Sequence, residues 1–231
     1  MKYRDEMEKL RHMQQKQLLE AAIRSEEMER HRISEILHDE VGAILSSAKI
    51  HLILMKSKIV DEDGIQLHGK VKFLLDDVIQ KVRQISHNLH SSILKEFGLN
   101  EAIEHFIDKI TEKTTLNVTL NLDKNYSSIN GEDDISIYRL IQELANNILK
   151  HSSATKIDIS STLKPTSVKF FVSHDGTGLT NEQFIKLRHN KTGMGLKNIQ
   201  NRIVLLKGEI DFYKNENCNE VSFEVPLKID V

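Results

Sequence analysis

The chain has 231 residues, 39% of them hydrophobic and 29% charged, with a formal net charge of −2; so even a balance gives no reason to expect nucleic acid or an anionic membrane as main partner. One cysteine, Cys218, excludes an intrachain disulfide or a thiolate metal cluster and points to a reducing, cytoplasmic setting. No run reaches the roughly 20 apolar residues that span a bilayer, so any membrane or sensor segment is expected upstream of Met1.

Only two prolines occur, Pro165 and Pro226, so helix is expected to dominate the first 160 residues. Residues 1–28 read as a polar helical linker: Met7, Leu10, Ala21 and Met28 fit a coiled-coil spacing that Gln14, Gln17 and Arg24 interrupt. From Glu29 the pattern sharpens, with Ile33, Leu37, Val41, Ile44, Ala48, Leu52 and Met55 on one stripe. "VDEDG" (Val60 to Gly64) signals a turn. Val71, Leu75, Val78, Val82, Ile85 and Leu89 form a second stripe in alternating steps of four and three. Residues 29–97 are therefore predicted to be an antiparallel helical hairpin. Its apolar stripe is too wide to hide alone, which predicts a homodimer closing a four-helix bundle, against the alternative of packing on the chain's own second domain.

Gly98 marks a helix stop, after which helices and strands alternate. Helix is expected over Glu101–Lys113, strand around Val118–Leu122, and a long helix over Asp133–Lys150. "KIDISSTL" and "SVKFFVS" read as strands flanking Lys164-Pro165. A helix from Leu196 to Leu206 ends at Gly208, and "EIDFY" and "EVSFEVPL" close the chain around the polar turn "KNENCN". The fold class is α+β: the hairpin followed, over 98–231, by an α/β sandwich whose late strands are antiparallel, their connections being too short for crossovers.

Four constellations carry possible chemistry. In "QELANNILKH", Glu143 and Asn147 are one turn apart and share a helix face; a carboxylate and an amide oxygen suit Mg²⁺, which keeps waters and phosphate oxygens as its other ligands. Lys150 and His151 follow on that side and could meet phosphate. In "SHDGTGL", Gly176 and Gly178 let the backbone approach a ligand or turn with positive φ. In "NKTGMGLKNI", Gly193 and Gly195 precede the helix starting near Leu196, where free N–H groups form a phosphate cradle to which Lys191, Thr192 and Lys197 add donors. In "ISEILHDEVGAILS", His38 has Ser34 and Gly42 four residues to either side, so the surface around the ring is expected to be bare, and Asp39 could orient the imidazole or take its proton. Each alone is compatible with a solvated helix face or a simple turn.

Taken in order, the four resemble the sensor histidine kinases of two-component systems, in the nitrate-sensor and DesK-like subfamily. "ERHRISEILHDEVG" looks like the phosphoacceptor box, "QELANNILKHSSA" like the N box, "SHDGTGL" stands in the place of the D box, and "TGMGLKNI" in that of the second glycine box. The resemblance runs from about Glu29 to Leu227. It implies that 29–97 is the dimerisation and phosphotransfer hairpin and 98–231 an ATP-binding domain of the gyrase and chaperone type. ATP and Mg²⁺ are then the cofactors. Asn147 would hold the metal, with Glu143 acting on its water shell or as a base. Lys150, His151, Thr192, Gly193, Gly195 and Leu196 would meet the nucleotide, and Thr180 to Thr192 would be a mobile lid. His38 would attack the γ-phosphate with Asp39 as acid/base partner. The phosphoryl group would pass to an aspartate on a response-regulator receiver domain.

Two departures stand out. Where the family places an aspartate that accepts a hydrogen bond from the adenine amine, this chain has His174, with Asp175 one step later; either the neutral histidine accepts the amine or the loop shifts to bring Asp175 in. Where the subfamily commonly has a glutamine five residues after the histidine, this chain has Ala43, which puts phosphatase activity in doubt. The altered D box leaves a second reading, a non-catalytic kinase-like scaffold that docks a signalling partner.

Overall fold

The computed structural model describes residues 2–89, 92–112, 114–127, 131–187, 194–215 and 218–227. The chain divides into two compact units, Met1–Ser92 and Ile93–Val231.

The first unit is helical: α1 (Lys2–Glu35), a π-helical turn (Ile36–Val41), α2 (Gly42–Met55), a 3₁₀ turn (Lys56–Lys58) and α3 (Glu62–Leu89). The reversal is tighter than "VDEDG" suggests. The Asp61 carboxylate accepts the Gly64 N–H at 2.8 Å, so Asp61 caps α3 and Gly64 lies inside its first turn. The hairpin is held at one end by two buried serines: Ser34 Oγ donates to the Ser86 carbonyl and Ser86 Oγ to the Ser34 carbonyl, both at 3.0 Å. Ser34 is thus tied to α3 and is not the bare surface expected beside His38. Towards the other end, His68 Nε2–H donates to the Leu52 carbonyl at 2.9 Å.

The predicted single stripe does not survive the π turn. The Gly42 N–H donates to the Leu37 carbonyl, five residues back. A π turn takes one residue more than an α-helical bond, so the helix face slips by one position. Beyond it Leu45 and Lys49 turn towards α3 beside Leu52, which the stripe did include, with Lys49 Nζ 2.6 Å from Asp76, while Ile44 and Met55 are 68% and 55% exposed. On α3, Leu75, Ile79, Val82 and Ser86 face inward. Val71, Val78 and Ile85, seven residues apart, stay exposed in the single chain.

The second unit contains α4 (Ser92–Phe97), α5 (Leu99–Thr111), β1 (Asn117–Asn121), α6 (Gly131–His151), β2 (Lys156–Leu163), β3 (Ser167–His174), α7 (Asn181–Leu187), α8 (Met194–Leu205), β4 (Glu209–Lys214) and β5 (Asn219–Pro226). Gly98, at φ +92°, makes the break between α4 and α5 that the sequence signals. The five-stranded sheet has the order β1-β2-β3-β5-β4. Only β1 and β2, joined through α6, run parallel; the other neighbours are antiparallel. One sheet face carries Ile157, Ile159, Val168, Phe170, Val172, Val221, Phe223 and Val225, buried in one core with α5, α6 and α8. Strand alternation sets which residues join this layer. On β3 it selects Val168, Phe170, Val172 and, at the strand's end, His174; on β5 it selects Asn219 at the strand's start.

Candidate functional site

In the second unit the C-terminal half of α6, the first turn of α8 and the end of β3 converge. Glu143 and Asn147 are half-buried one turn apart on α6. A Cβ added at Gly195 would run into Glu143 Oε1 and lie 3.3 Å from Asn147 Oδ1, so this glycine lets α8 close on both oxygens. Asn147 Nδ2 is buried with no hydrogen-bond partner among the described residues. Gly195 sits within the first turn of α8, which starts at Met194, two residues before the expected Leu196; Leu196 is half-buried. Lys150 and His151 are exposed at the end of α6. Thr192, Gly193 and Lys191 lie outside the described residues.

The turn after β3 is tied to the end of α6. Thr177 N–H donates to the Ser152 carbonyl at 2.8 Å, and a Cβ on Gly176 would meet that carbonyl and the Ala154 nitrogen, the latter at 2.7 Å. The Asp175 carboxylate accepts from Thr155 Oγ1 at 2.5 Å, Thr155 N–H at 2.8 Å and Lys156 N–H at 2.9 Å. Turning Asp175 towards a ligand would break all three bonds. They hold its pKa at about 2, below the ordinary 3.8, with the Thr155 hydroxyl the largest cause. A depressed carboxylate stabilises the folded state above its ordinary value and loses that contribution as pH falls towards the depressed one. Acid unfolding between pH 3.8 and about 2 should therefore flatten in Asp175→Asn, followed by circular dichroism; an unchanged curve would remove Asp175 from this role.

His174 is 6% exposed, and burial pushes its pKa down, keeping the ring neutral. Its Nδ1 has no partner among the described residues. Directly across the sheet, in register with it, stands Asn219, 7% exposed. Asn219 Nδ2 donates to the Gly176 carbonyl, its Oδ1 has no partner among the described residues, and a Cβ on Gly178 would overlap its Cγ. Sequence reasoning passed over Asn219 because it belongs to no local motif. The signal was there in the strand register: it sits two residues before Val221, on the inward face.

The expected mobile segment from Thr180 opens as a helix. Asn181–Leu187 is helix α7, started by a capping box in which the Gln183 N–H donates to Thr180 Oγ1 (3.3 Å) and the Thr180 N–H to Gln183 Oε1 (2.9 Å). Phe184 is 4% exposed and stacks on Phe212 at 4.4 Å, and Asn181 Oδ1 accepts the Phe212 N–H at 2.8 Å. The first half of the predicted lid is thus anchored to β4; residues 188–193 lie outside the described residues.

In the first unit His38 and Asp39 lie on the π turn, their side chains 70% and 75% exposed, with His38 Nδ1 2.8 Å from Asp39 Oδ1. A carboxylate only accepts, so Nδ1 carries the proton, and in the neutral ring the lone pair is on Nε2. A cleft of about 380 Å³ beside the ring is lined by Leu37, Gly42, Ala43 and Val82. A Cβ on Gly42 would make only ordinary contact, 3.5 Å from the Leu37 carbonyl, so the bare glycine widens this cleft without being required by the helix itself.

Comparison with known proteins places both units. Residues 29–94 match the family described as "Histidine kinase", and residues 132–229 the "Histidine kinase-, DNA gyrase B-, and HSP90-like ATPase" family. The chain is 26% identical over 216 residues to the oxygen sensor histidine kinase NreB of Staphylococcus carnosus (strain TM300), covering 93% of this chain and 61% of that protein. It is 23% identical over 212 residues to the sensor histidine kinase NarS of Mycobacterium tuberculosis (strain ATCC 25618 / H37Rv), covering 92% and 48%. In fold it resembles the blue-light activated histidine kinase of Erythrobacter litoralis EL346, with a TM-score of 0.51 at 16% identity, covering 82% of this chain and 59% of that one. The chain spans 42% to 61% of the length of the curated relatives MctS and NreB that it matches. Among the described residues no helix is long and apolar enough to cross a membrane.

Proposed function

On the premise that this chain belongs to the nitrate-sensor-like sensor histidine kinases of two-component signalling, we propose that it autophosphorylates His38 from ATP and passes the phosphoryl group to an aspartate on a receiver domain. The observation that carries this reading is the His38–Asp39 contact, which protonates Nδ1 and leaves a nucleophilic Nε2 on an exposed turn. In the reaction, Nε2 forms a bond to the γ-phosphorus as the bond to the β,γ-bridging oxygen breaks and ADP leaves. Asp39 offsets the positive charge that builds on the ring and takes the Nδ1 proton. Positioning and charge neutralisation supply most of the acceleration in such transfers.

On the nucleotide side, Asn147 and Glu143 are the residues that fit Mg²⁺: two hard oxygens converge beneath Gly195. The ion, when bound, neutralises phosphate charge. Lys150, exposed near the end of α6, and the first turn of α8 complete a cationic and N–H-rich face for the phosphates. A second copy of the chain would cover the exposed line of Val71, Val78 and Ile85. Ala43 offers no hydrogen-bonding group to the cleft beside His38, which predicts slow hydrolysis of the phosphorylated partner. The scaffold alternative requires a broken nucleotide face, and the convergence of Glu143, Asn147 and Gly195 speaks against it. Incubation with γ-labelled ATP and Mg²⁺ tests the reading: phosphate on the protein should be acid-labile and alkali-stable, and acid-stable phosphate would overturn it.

A further inference from the structure

We propose that Arg83 binds the phosphoryl group carried by His38 and so sets how far the transfer from ATP runs towards the phosphorylated protein. This rests on the reading of His38 as phosphoacceptor, and goes beyond it by adding a residue of α3 to a site otherwise built on the π turn.

His38 and Arg83 line the same cleft, one from the π turn and the other from α3. Among the residues lining it, Arg83 is the only cation apart from the ring itself, and Asp39 the only acid. Arg83 is exposed and makes no hydrogen bond or ion pair among the described residues. One turn away on its own helix stand Ile79, Gln80, Ser86 and His87, none of them a carboxylate. Other cations of the hairpin are matched: Arg30 with Glu26, Lys49 with Asp76 and Lys81 with Asp77. Asp39 shares the cleft, but its carboxylate is taken up by His38 Nδ1 at 2.8 Å. Arg83 also lies roughly 140° around α3 from the line of Val71, Val78 and Ile85. A second copy seated on that line leaves the cation uncovered.

The chemistry asks for such a cation. A phosphoryl group carries about two negative charges at neutral pH. On His38 it arrives beside Asp39 and three residues from Glu35, both of which repel it. A guanidinium is a permanent cation whose N–H fork matches two phosphoryl oxygens. The transfer exchanges one bond for another: Nε2–P forms and the bond from phosphorus to the bridging oxygen of ADP breaks. Arg83 gives up no proton in it. Its contact exists only once the phosphoryl group is on the ring, so it stabilises the product and shifts the equilibrium between ATP with free His38 and ADP with phosphohistidine.

The experiment equilibrates the full chain with Mg²⁺ and fixed mixtures of ATP and ADP, and measures the ratio of phosphorylated to free His38. In Arg83→Gln that ratio should fall roughly three- to tenfold at the same ATP:ADP ratio. Arg83→Lys, which keeps the charge and loses the fork, should fall between. Lys81→Gln removes a cation two residues away that does not line the cleft, and should match the wild type. A residue that only supports the helix, or only speeds labelling, moves a rate and leaves this equilibrium ratio alone. An unchanged ratio in Arg83→Gln overturns the inference, even if labelling or transfer to a receiver slows. An equal fall in Lys81→Gln overturns it too, since the effect would then belong to net charge. If Arg83→Gln fails to fold, Arg83→Lys decides, and a wild-type ratio there overturns the inference. A wild-type chain that takes no phosphate sinks the reading of His38 itself, and this inference with it.

Discussion

Replacing His38 by glutamine is expected to abolish autophosphorylation, lowering the rate by at least about a thousandfold, or roughly 4 kcal/mol of barrier. The reason lies in one atom. With Nδ1 held by Asp39 at 2.8 Å, Nε2 keeps a localised lone pair that can attack phosphorus. A glutamine nitrogen has a similar reach, but its lone pair is delocalised into the carbonyl. The side chain is 70% exposed, so stability should move by no more than about 0.5 kcal/mol. Loss of labelling in a folded, ATP-binding variant is the expected result; labelling that persists would reassign the phosphoacceptor. Asp39→Asn should be milder, roughly ten- to a hundredfold, because the amide oxygen still accepts from Nδ1 but no longer offsets the ring's charge.

How far the sequence carried this reading differs from element to element. The strands flanking Lys164-Pro165 and the long helix with Glu143 and Asn147 were legible because period and turn chemistry are local signals. The π turn was not. Residues 33, 37, 41 and 44 keep an acceptable helical spacing whether or not one bond skips to the fifth residue, so only the packing of Leu45 and Lys49 in place of Ile44 and Ala48 reveals the slip. Helix α7 was legible and missed: Thr180 and Gln183 have capping-box spacing immediately before Phe184. The engagement of Asp175 with Thr155, 20 residues away, and the pairing of His174 with Asn219 depend on sheet register, which adjacent residues do not encode.

Two glycine-to-alanine substitutions should separate architecture from chemistry, because the added methyl meets different neighbours. At Gly176 it meets backbone: the Ser152 carbonyl and the Ala154 nitrogen, the latter at 2.7 Å. That backbone is pinned, since Ser152 N–H donates to Ile148 and its carbonyl accepts from Thr177. Gly176→Ala should destabilise the second unit by about 1–3 kcal/mol, read as a lower urea midpoint, with nucleotide binding falling alongside. At Gly195 the methyl meets the far end of a flexible side chain, Glu143 Oε1, and Asn147 Oδ1 at 3.3 Å. Glu143 can swing away at little cost, and alanine is at least as good as glycine within a helix. Gly195→Ala should therefore unfold at the same urea concentration as wild type or higher, yet label His38 at least about tenfold more slowly, because the two oxygens that would hold Mg²⁺ are pushed apart. Wild-type labelling in Gly195→Ala would mean that Glu143 and Asn147 do not form the metal-holding face, and the nucleotide site would have to be sought on other residues of the second unit.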